Sequence, residues 1–238
     1  MACIAITGPV GSLEEWCAAA RTAGWEAVAC PLIELVPRSV EPEDLRALPA
    51  FGEPHAIVLT SSHAIPFLLE LLASQPELRA APLWVVGART NSALGEAGLP
   101  SAVHVAFDTS RLAQALRGAL ARESRVLWLR GDVSDELARQ LRLAGLQVLD
   151  RIAYANRSLP VAGLPACEWV FFASPSAVDR WLALDERRGL GAIAIGETTL
   201  QRLRETARER FSAIIPLPQP SVEALHSCLL ALARDRPS

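Results

Sequence analysis

Two stretches of the sequence nearly repeat one another: W-V-V-G-A-R-T-N-S-A-L over Trp84–Leu94 and I-A-I-G-E-T-T-L-Q-R-L over Ile193–Leu203. Each runs from an apolar strand through a glycine into a helix start that carries threonine, Thr90 in the first copy, Thr198 and Thr199 in the second. A second pair lies upstream of these, T-S-S-H-A-I with Ser61 and Ser62, and A-S-P-S-A-V with Ser174 and Ser176. Hydroxyl residues at such junctions belong to helix N-termini, whose unpaired N–H groups and positive dipole end bind carboxylates without a cationic side chain. Plain capping explains any one of them. Four at matching places in two repeats point to a ligand surface.

Three other residue types bear on the chemistry. Tyr154 is the only tyrosine; its phenol is a hydrogen-bond donor or weak general acid if it faces a ligand, and an ordinary packed ring if it does not. Arg130 falls at the end of an apolar strand beside Gly131, where an anion contact is expected. All 23 basic residues are Arg, which excludes Schiff-base chemistry and the P-loop lysine. The four histidines are dispersed without ligand spacing, and no G-x-S-x-G, G-x-G-x-x-G or Walker pattern occurs, so no metal or cofactor is expected. Five cysteines without a C-x-x-C pair suggest buried free thiols rather than a disulfide framework.

These residues need a frame, and the hydrophobic pattern supplies one. Ten short aliphatic runs, Cys3–Thr7, Trp25–Cys30, Ala56–Thr60, Leu83–Gly87, Ala102–Val105, Val126–Arg130, Gln147–Leu149, Trp169–Ala173, Ala192–Gly196 and Ala213–Ile215, read as buried parallel strands. Amphipathic stretches such as Leu13, Trp16, Cys17 and Ala20 alternate with them. The fold class is therefore α/β, and ten strands suit two five-stranded sheets.

A third repeat pair, Gly8 to Trp25 and Gly131 to Leu146, orders the halves. Its first copy opens the chain, whereas the related serine and glycine elements of that half lie near the end. The expected arrangement is two flavodoxin-like parallel-sheet domains, one inserted in the other: residues 1–34 with 157–238, and residues 38–150. Residues 31–37 and 151–156 would be extended linker strands, the first bounded by Pro31 and Pro37. A cleft at such a hinge would hold a small molecule.

A net charge of -3 with interspersed signs predicts no nucleic-acid partner, and the absence of a long apolar run or leader pattern predicts a cytoplasmic protein without membrane association.

In this order the motifs T-G-P, P-L-I-E-L-V-P, A-I-V-L-T-S-S-H-A-I, L-W-V-V-G-A-R-T, V-L-W-L-R-G, R-I-A-Y, W-V-F-F-A-S-P-S-A-V and A-I-A-I-G-E-T-T resemble the uroporphyrinogen-III synthase family over nearly the whole chain. One departure is that many members carry an Arg after the first strand, where this chain has Thr7 to Pro9. The resemblance implies a cofactor-independent enzyme that cyclises hydroxymethylbilane with inversion of ring D. It implies that Tyr154 assists departure of the hydroxyl, and that Ser61, Ser62, Thr90, Ser174, Ser176, Thr198 and Thr199 contact substrate; Arg130 joins them from the strand-end reading. A monomer, with transient hand-over from the preceding pathway enzyme, is expected. The rival reading is a hinged two-lobe binding or sensor protein that holds its ligand unchanged.

Overall fold

The structure, a computed structural model, describes residues 2–234. Its first half runs β1 (Cys3–Pro9), α1 (Glu14–Thr22), β2 (Glu26–Pro37), α2 (Pro42–Phe51), β3 (Ala56–Leu59), α3 (Ile65–Ser74), β4 (Leu83–Val86), α4 (Ala88–Glu96), β5 (His104–Ala106) and α5 (Thr109–Ala119). There follow β6 (Arg125–Gly131), α6 (Glu136–Leu143), β7 (Gln147–Ser158), β8 (Trp169–Phe172), α7 (Pro175–Leu184), β9 (Leu190–Ala194), α8 (Glu197–Ala207), β10 (Phe211–Pro216) and α9 (Val222–Arg234). A 3-10 turn at Ser62–Ala64 precedes α3. The alternation of strand and helix gives a mixed α/β fold with parallel strands, as the hydrophobic pattern requires.

Internal packing divides the chain into two compact units, Met1–Glu34 with Arg157–Ser238, and Leu35–Asn156. The strand order is β10-β9-β8-β1-β2 in the first and β7-β6-β3-β4-β5 in the second. Every pair within these runs is parallel. The stretches expected as linkers, 31–37 and 151–156, lie within β2 and β7. In the second unit Arg38 N–H donates to Ala153 O (2.9 Å), and in the first Leu159 N–H donates to Leu32 O (2.9 Å).

Both faces of each sheet are covered, which is why the strands are apolar at successive positions rather than at alternate ones. In the second unit Ile57, Leu59, Leu83, Val85, Leu127 and Leu129 face one core with Phe67, Leu68 and Leu71 of α3. Their neighbours Ala56, Val58, Trp84, Val126 and Trp128 face the other, against Leu112 and Leu116 of α5 and Leu137 and Leu141 of α6. The first unit repeats the plan. Ile4, Ile6, Phe171 and Ile193 pack with α1 and α9, while Ala5, Val170, Phe172, Ala192 and Ala194 pack with α7 and α8.

One expectation is corrected. Cys3 and Cys167 form a disulfide, with Cα atoms 4.7 Å apart. Because β1 and β8 are neighbours with Ile4 opposite Trp169, two cysteines separated by 164 residues meet. No local pattern announces a pairing that parallel-strand register creates. Cys17 and Cys30 are buried free thiols, and burial pushes Cys30 up to about 11, which keeps it unreactive.

Candidate active site

Tyr154 is set by strand register. On β7 it pairs with Gly131 of β6, where the ladder shifts between Arg130 and Gly131. Its ring lies directly on that glycine: a Cβ on residue 131 would be 2.7 Å from Cε2, 2.9 Å from Cζ and 3.1 Å from Oη. Closeness, not backbone conformation, is what requires glycine there.

The Ser61 side chain and the Gly131 backbone stand beside the phenol as polar groups that favour its anion. Ser61 caps the 3-10 turn, and its Oγ accepts from His63 N–H at 3.3 Å while lying 3.1 Å from His63 Nδ1. The His63 ring stands over Tyr154 with centroids 5.7 Å apart and a tilt of 49°. Burial raises the Tyr154 phenol above its ordinary value, aided by the Asp132 carboxylate, while the polar groups of Ser61 and Gly131 oppose the rise. The phenol therefore keeps its proton at neutral pH and is equipped to donate it. Loss of water and the Arg89 charge lower His63, leaving its ring neutral there.

Arg130 is not a free cation. Its Nε donates to Asp150 at 2.7 Å and its Nη1 to Gly131 O at 3.0 Å, and the guanidinium lies over the Trp128 ring at 5.6 Å. Arg142 completes the cluster with a 2.7 Å bond to the other Asp150 oxygen. Burial penalises the Asp150 charge, yet the hydrogen bonds from Arg130 and Arg142 outweigh it and hold the carboxyl below its usual range. The strand-end position suggested an anion contact; Asp150, 20 residues away, is its partner within the protein and is shared with Arg142. Its bond to Gly131 O pins the ladder shift beneath Tyr154.

Elsewhere in the second unit, Ser62 is half-buried at the start of the turn, and Thr90 is buried in the first turn of α4. Gly87, which precedes that helix, has φ 82°, a left-handed conformation that favours glycine. The corresponding Gly196 ahead of α8 is extended, so the repeated glycines answer different local needs.

In the first unit Ser174 is the N-cap of α7, with Pro175 entering the helix behind it. Its Oγ accepts from Ala177 N–H at 3.2 Å and lies 3.0 Å from Ser176 Oγ. On α8, Thr198 is exposed, whereas Thr199 is 1% exposed and its Oγ1 has no hydrogen-bond partner among the described residues. A buried hydroxyl left without a bond costs about 1–3 kcal/mol.

Ser61 and Tyr154 are thus brought together, as are Ser174 and Ser176. Sequence reasoning passed over Gly131 and gave His63 no role. The pair R-G at the end of an apolar run marks Gly131, but its partner becomes visible only in register. Two surface hollows, about 450 Å³ beside Pro218 and Ser227 in the first unit and about 280 Å³ beside Pro49 and Gln75 in the second, include none of these residues.

The sequence matches the family model of uroporphyrinogen-III synthase HemD over residues 14–226. No curated protein matches it significantly. Among solved structures, uroporphyrinogen-III synthetase from Helicobacter pylori 26695 is 21% identical with a TM-score of 0.65, covering 98% of this chain and 100% of that one. A mutant uroporphyrinogen III synthase from the extremely thermophilic bacterium Thermus thermophilus is 19% identical with a TM-score of 0.66, covering 99% and 100%. At these identities the structures speak for the fold.

Proposed function

Since the chain belongs to the uroporphyrinogen-III synthase family, the cyclising lyases of tetrapyrrole biosynthesis, we propose that its substrate is hydroxymethylbilane and that Tyr154 is its proton donor. The linear tetrapyrrole loses hydroxide from ring A, and a proton from Tyr154 carries it away as water. The resulting azafulvene cation is attacked by the substituted carbon of ring D, and a spiro intermediate fragments and recloses to invert that ring. The observation that carries this reading is the Tyr154 phenol: half-buried, protonated at neutral pH, and packed on Gly131. Its environment keeps the proton on the phenol until a leaving group draws it, and the Ser61 and Gly131 polar groups lessen the cost of the oxygen left behind.

The substrate's acetate and propionate groups need no lysine. We assign their binding to helix N-termini in both units, through Ser61, Ser62 and Thr90 in one and Ser174, Ser176, Thr198 and Thr199 in the other. The unpartnered Thr199 hydroxyl supports a ligand contact on α8. Arg130 joins them from beside Tyr154: it shares Asp150 with Arg142, which leaves the trio one positive charge for a substrate carboxylate. Holding a flexible chain in one productive shape is a large part of the work, because spontaneous closure without inversion competes with it.

Counted from β1 in one unit and from β6 in the other, both strand orders read 2-1-3-4-5, which supports two flavodoxin-like domains. A cofactor-free monomer in the cytoplasm, receiving its substrate from the preceding enzyme, completes the proposal. Among the described residues no helix is long and apolar enough to cross a membrane.

The test is to add the protein to freshly generated hydroxymethylbilane and separate uroporphyrin isomers I and III after oxidation. Isomer III is expected, falling about 10²-fold or more in rate for Tyr154→Phe with product binding retained. Isomer I alone from folded protein would overturn the assignment and favour a binding protein.

A further inference from the structure

In the first unit Arg180 of α7 carries a charge that the protein does not answer. The residue is half-buried, and its Nη2 donates to Leu159 O at 2.9 Å. Its Nε is shut off from water without a hydrogen-bond partner, and no carboxylate among the described residues forms an ion pair with it. Asp179, its neighbour in sequence, is taken by Arg202 at 2.7 Å. Other half-buried arginines have their counter-charge: Arg130 has Asp150, and Arg38 and Arg151 share Asp44. Arg151 also has an unbonded buried Nε, but Asp44 stands 3.4 Å from it. Partial burial of a guanidinium without a counter-charge is unfavourable. A bond to a carbonyl alone would be made as well by a neutral amide.

Register puts the guanidinium at the carboxyl end of the sheet. Leu159 N–H donates to Leu32 O at 2.9 Å, and Leu32 falls between Pro31, opposite Gly8, and Ile33, opposite Pro9. The group that reaches Leu159 O is therefore level with the turn after β1, at the end where open α/β sheets hold ligands. A helical side chain leans toward the N-terminus of its own helix, so Arg180 leans toward the Ser174–Ser176 pair. Ser176, four residues earlier, shares its face of α7. The turn after β1 offers no cation of its own. A Cβ at Gly8 would be 3.0 Å from Leu13 Cδ2 and 3.1 Å from Ala173 Cβ, which leaves little room for a side chain there.

We propose that Arg180 binds a carboxylate of the ligand beside the Ser174–Ser176 end of α7. This rests on the reading of the substrate as a polycarboxylate. Nη1 has no protein partner and reaches the surface. It offers two N–H groups and Nη2 retains one, enough for both oxygens of a carboxylate. The bond to Leu159 O and the enclosed Nε hold the guanidinium in one orientation, so little side-chain freedom is lost when the ligand arrives. Arg180 sets affinity for one arm of the ligand and takes no part in proton transfer.

The experiment uses the intact chain, wild type, Arg180→Gln and Arg180→Lys. Glutamine keeps an amide donor and removes the charge; lysine keeps the charge and loses the fork. Citrate, a simple polycarboxylate, is first added at constant ionic strength while thermal unfolding is followed, which needs no turnover. It should raise the unfolding temperature of wild type, leave Arg180→Gln unmoved and act partly on Arg180→Lys. Without citrate, Arg180→Gln should be as stable as wild type or more so. Its affinity for uroporphyrin III should fall about tenfold, and KM for hydroxymethylbilane should rise by a similar factor with kcat within about threefold.

Wild-type KM and wild-type uroporphyrin affinity in Arg180→Gln would overturn the proposal, and lowered stability in that variant would mark Arg180 as an anchor for Leu159. Citrate protection that disappears with Arg180, in a wild-type protein that forms no isomer III, would sustain the anion site and remove the substrate assignment instead. Equal citrate protection in all three proteins, again without isomer III, would remove both.

Discussion

Adding one methyl group at residue 131 should disable the enzyme while leaving it folded. The Cβ of a Gly131→Ala variant would be 2.7 Å from Tyr154 Cε2 and 2.9 Å from Cζ, where carbon atoms rest at about 3.5–4.0 Å. The strand backbone is fixed by its ladder to β7, so the ring must retreat by about 1 Å. Misplacement of that size costs about 10²-fold in rate, and overpacking of this kind costs about 1–3 kcal/mol of stability. The assay is the rate of isomer III formation under saturating hydroxymethylbilane, with thermal unfolding measured on the same preparation. In a Tyr154→Phe background the added methyl should cost far less than in wild type, because the hydroxyl it displaces is already gone. A kcat within about twofold of wild type, from an alanine variant with an unchanged tyrosine titration, would refute the argument that this glycine positions the phenol.

Thr199→Val removes a buried hydroxyl that has no partner, so we expect unchanged or slightly raised thermal stability together with a raised KM; lower stability without a KM change would mean a structural role. Replacing Cys3 and Cys167 by Ser should lower stability by about 2–4 kcal/mol in oxidising buffer and not in reductant, read from denaturant unfolding. The Asp150 carboxyl is lowered on folding, so its contribution is present above the unfolded value and lost as pH falls through the folded one. Asp150→Asn should therefore be less stable than wild type at neutral pH, and the two should converge in acid.

The alternation of buried strands with amphipathic helices was legible because both depend on which residues are apolar and at what period. The Ser174 cap was legible for a related reason. A cap joins a side chain to an N–H three residues on, and Ser174 followed by Pro175 contains everything that bond requires. Family resemblance likewise follows from motif order, which the chain carries in itself.

What only the tertiary structure decided involves partners brought together by strand register. Arg130 could be placed at a strand end, but its ion pair required Asp150 to arrive on the adjacent strand. Cys3 and Cys167 required β1 and β8 to be neighbours. Tyr154 required Gly131 beneath it and Ser61 beside it. Register is fixed by the packing of whole sheets between helices, a property summed over many residues, so no short window of sequence contains it.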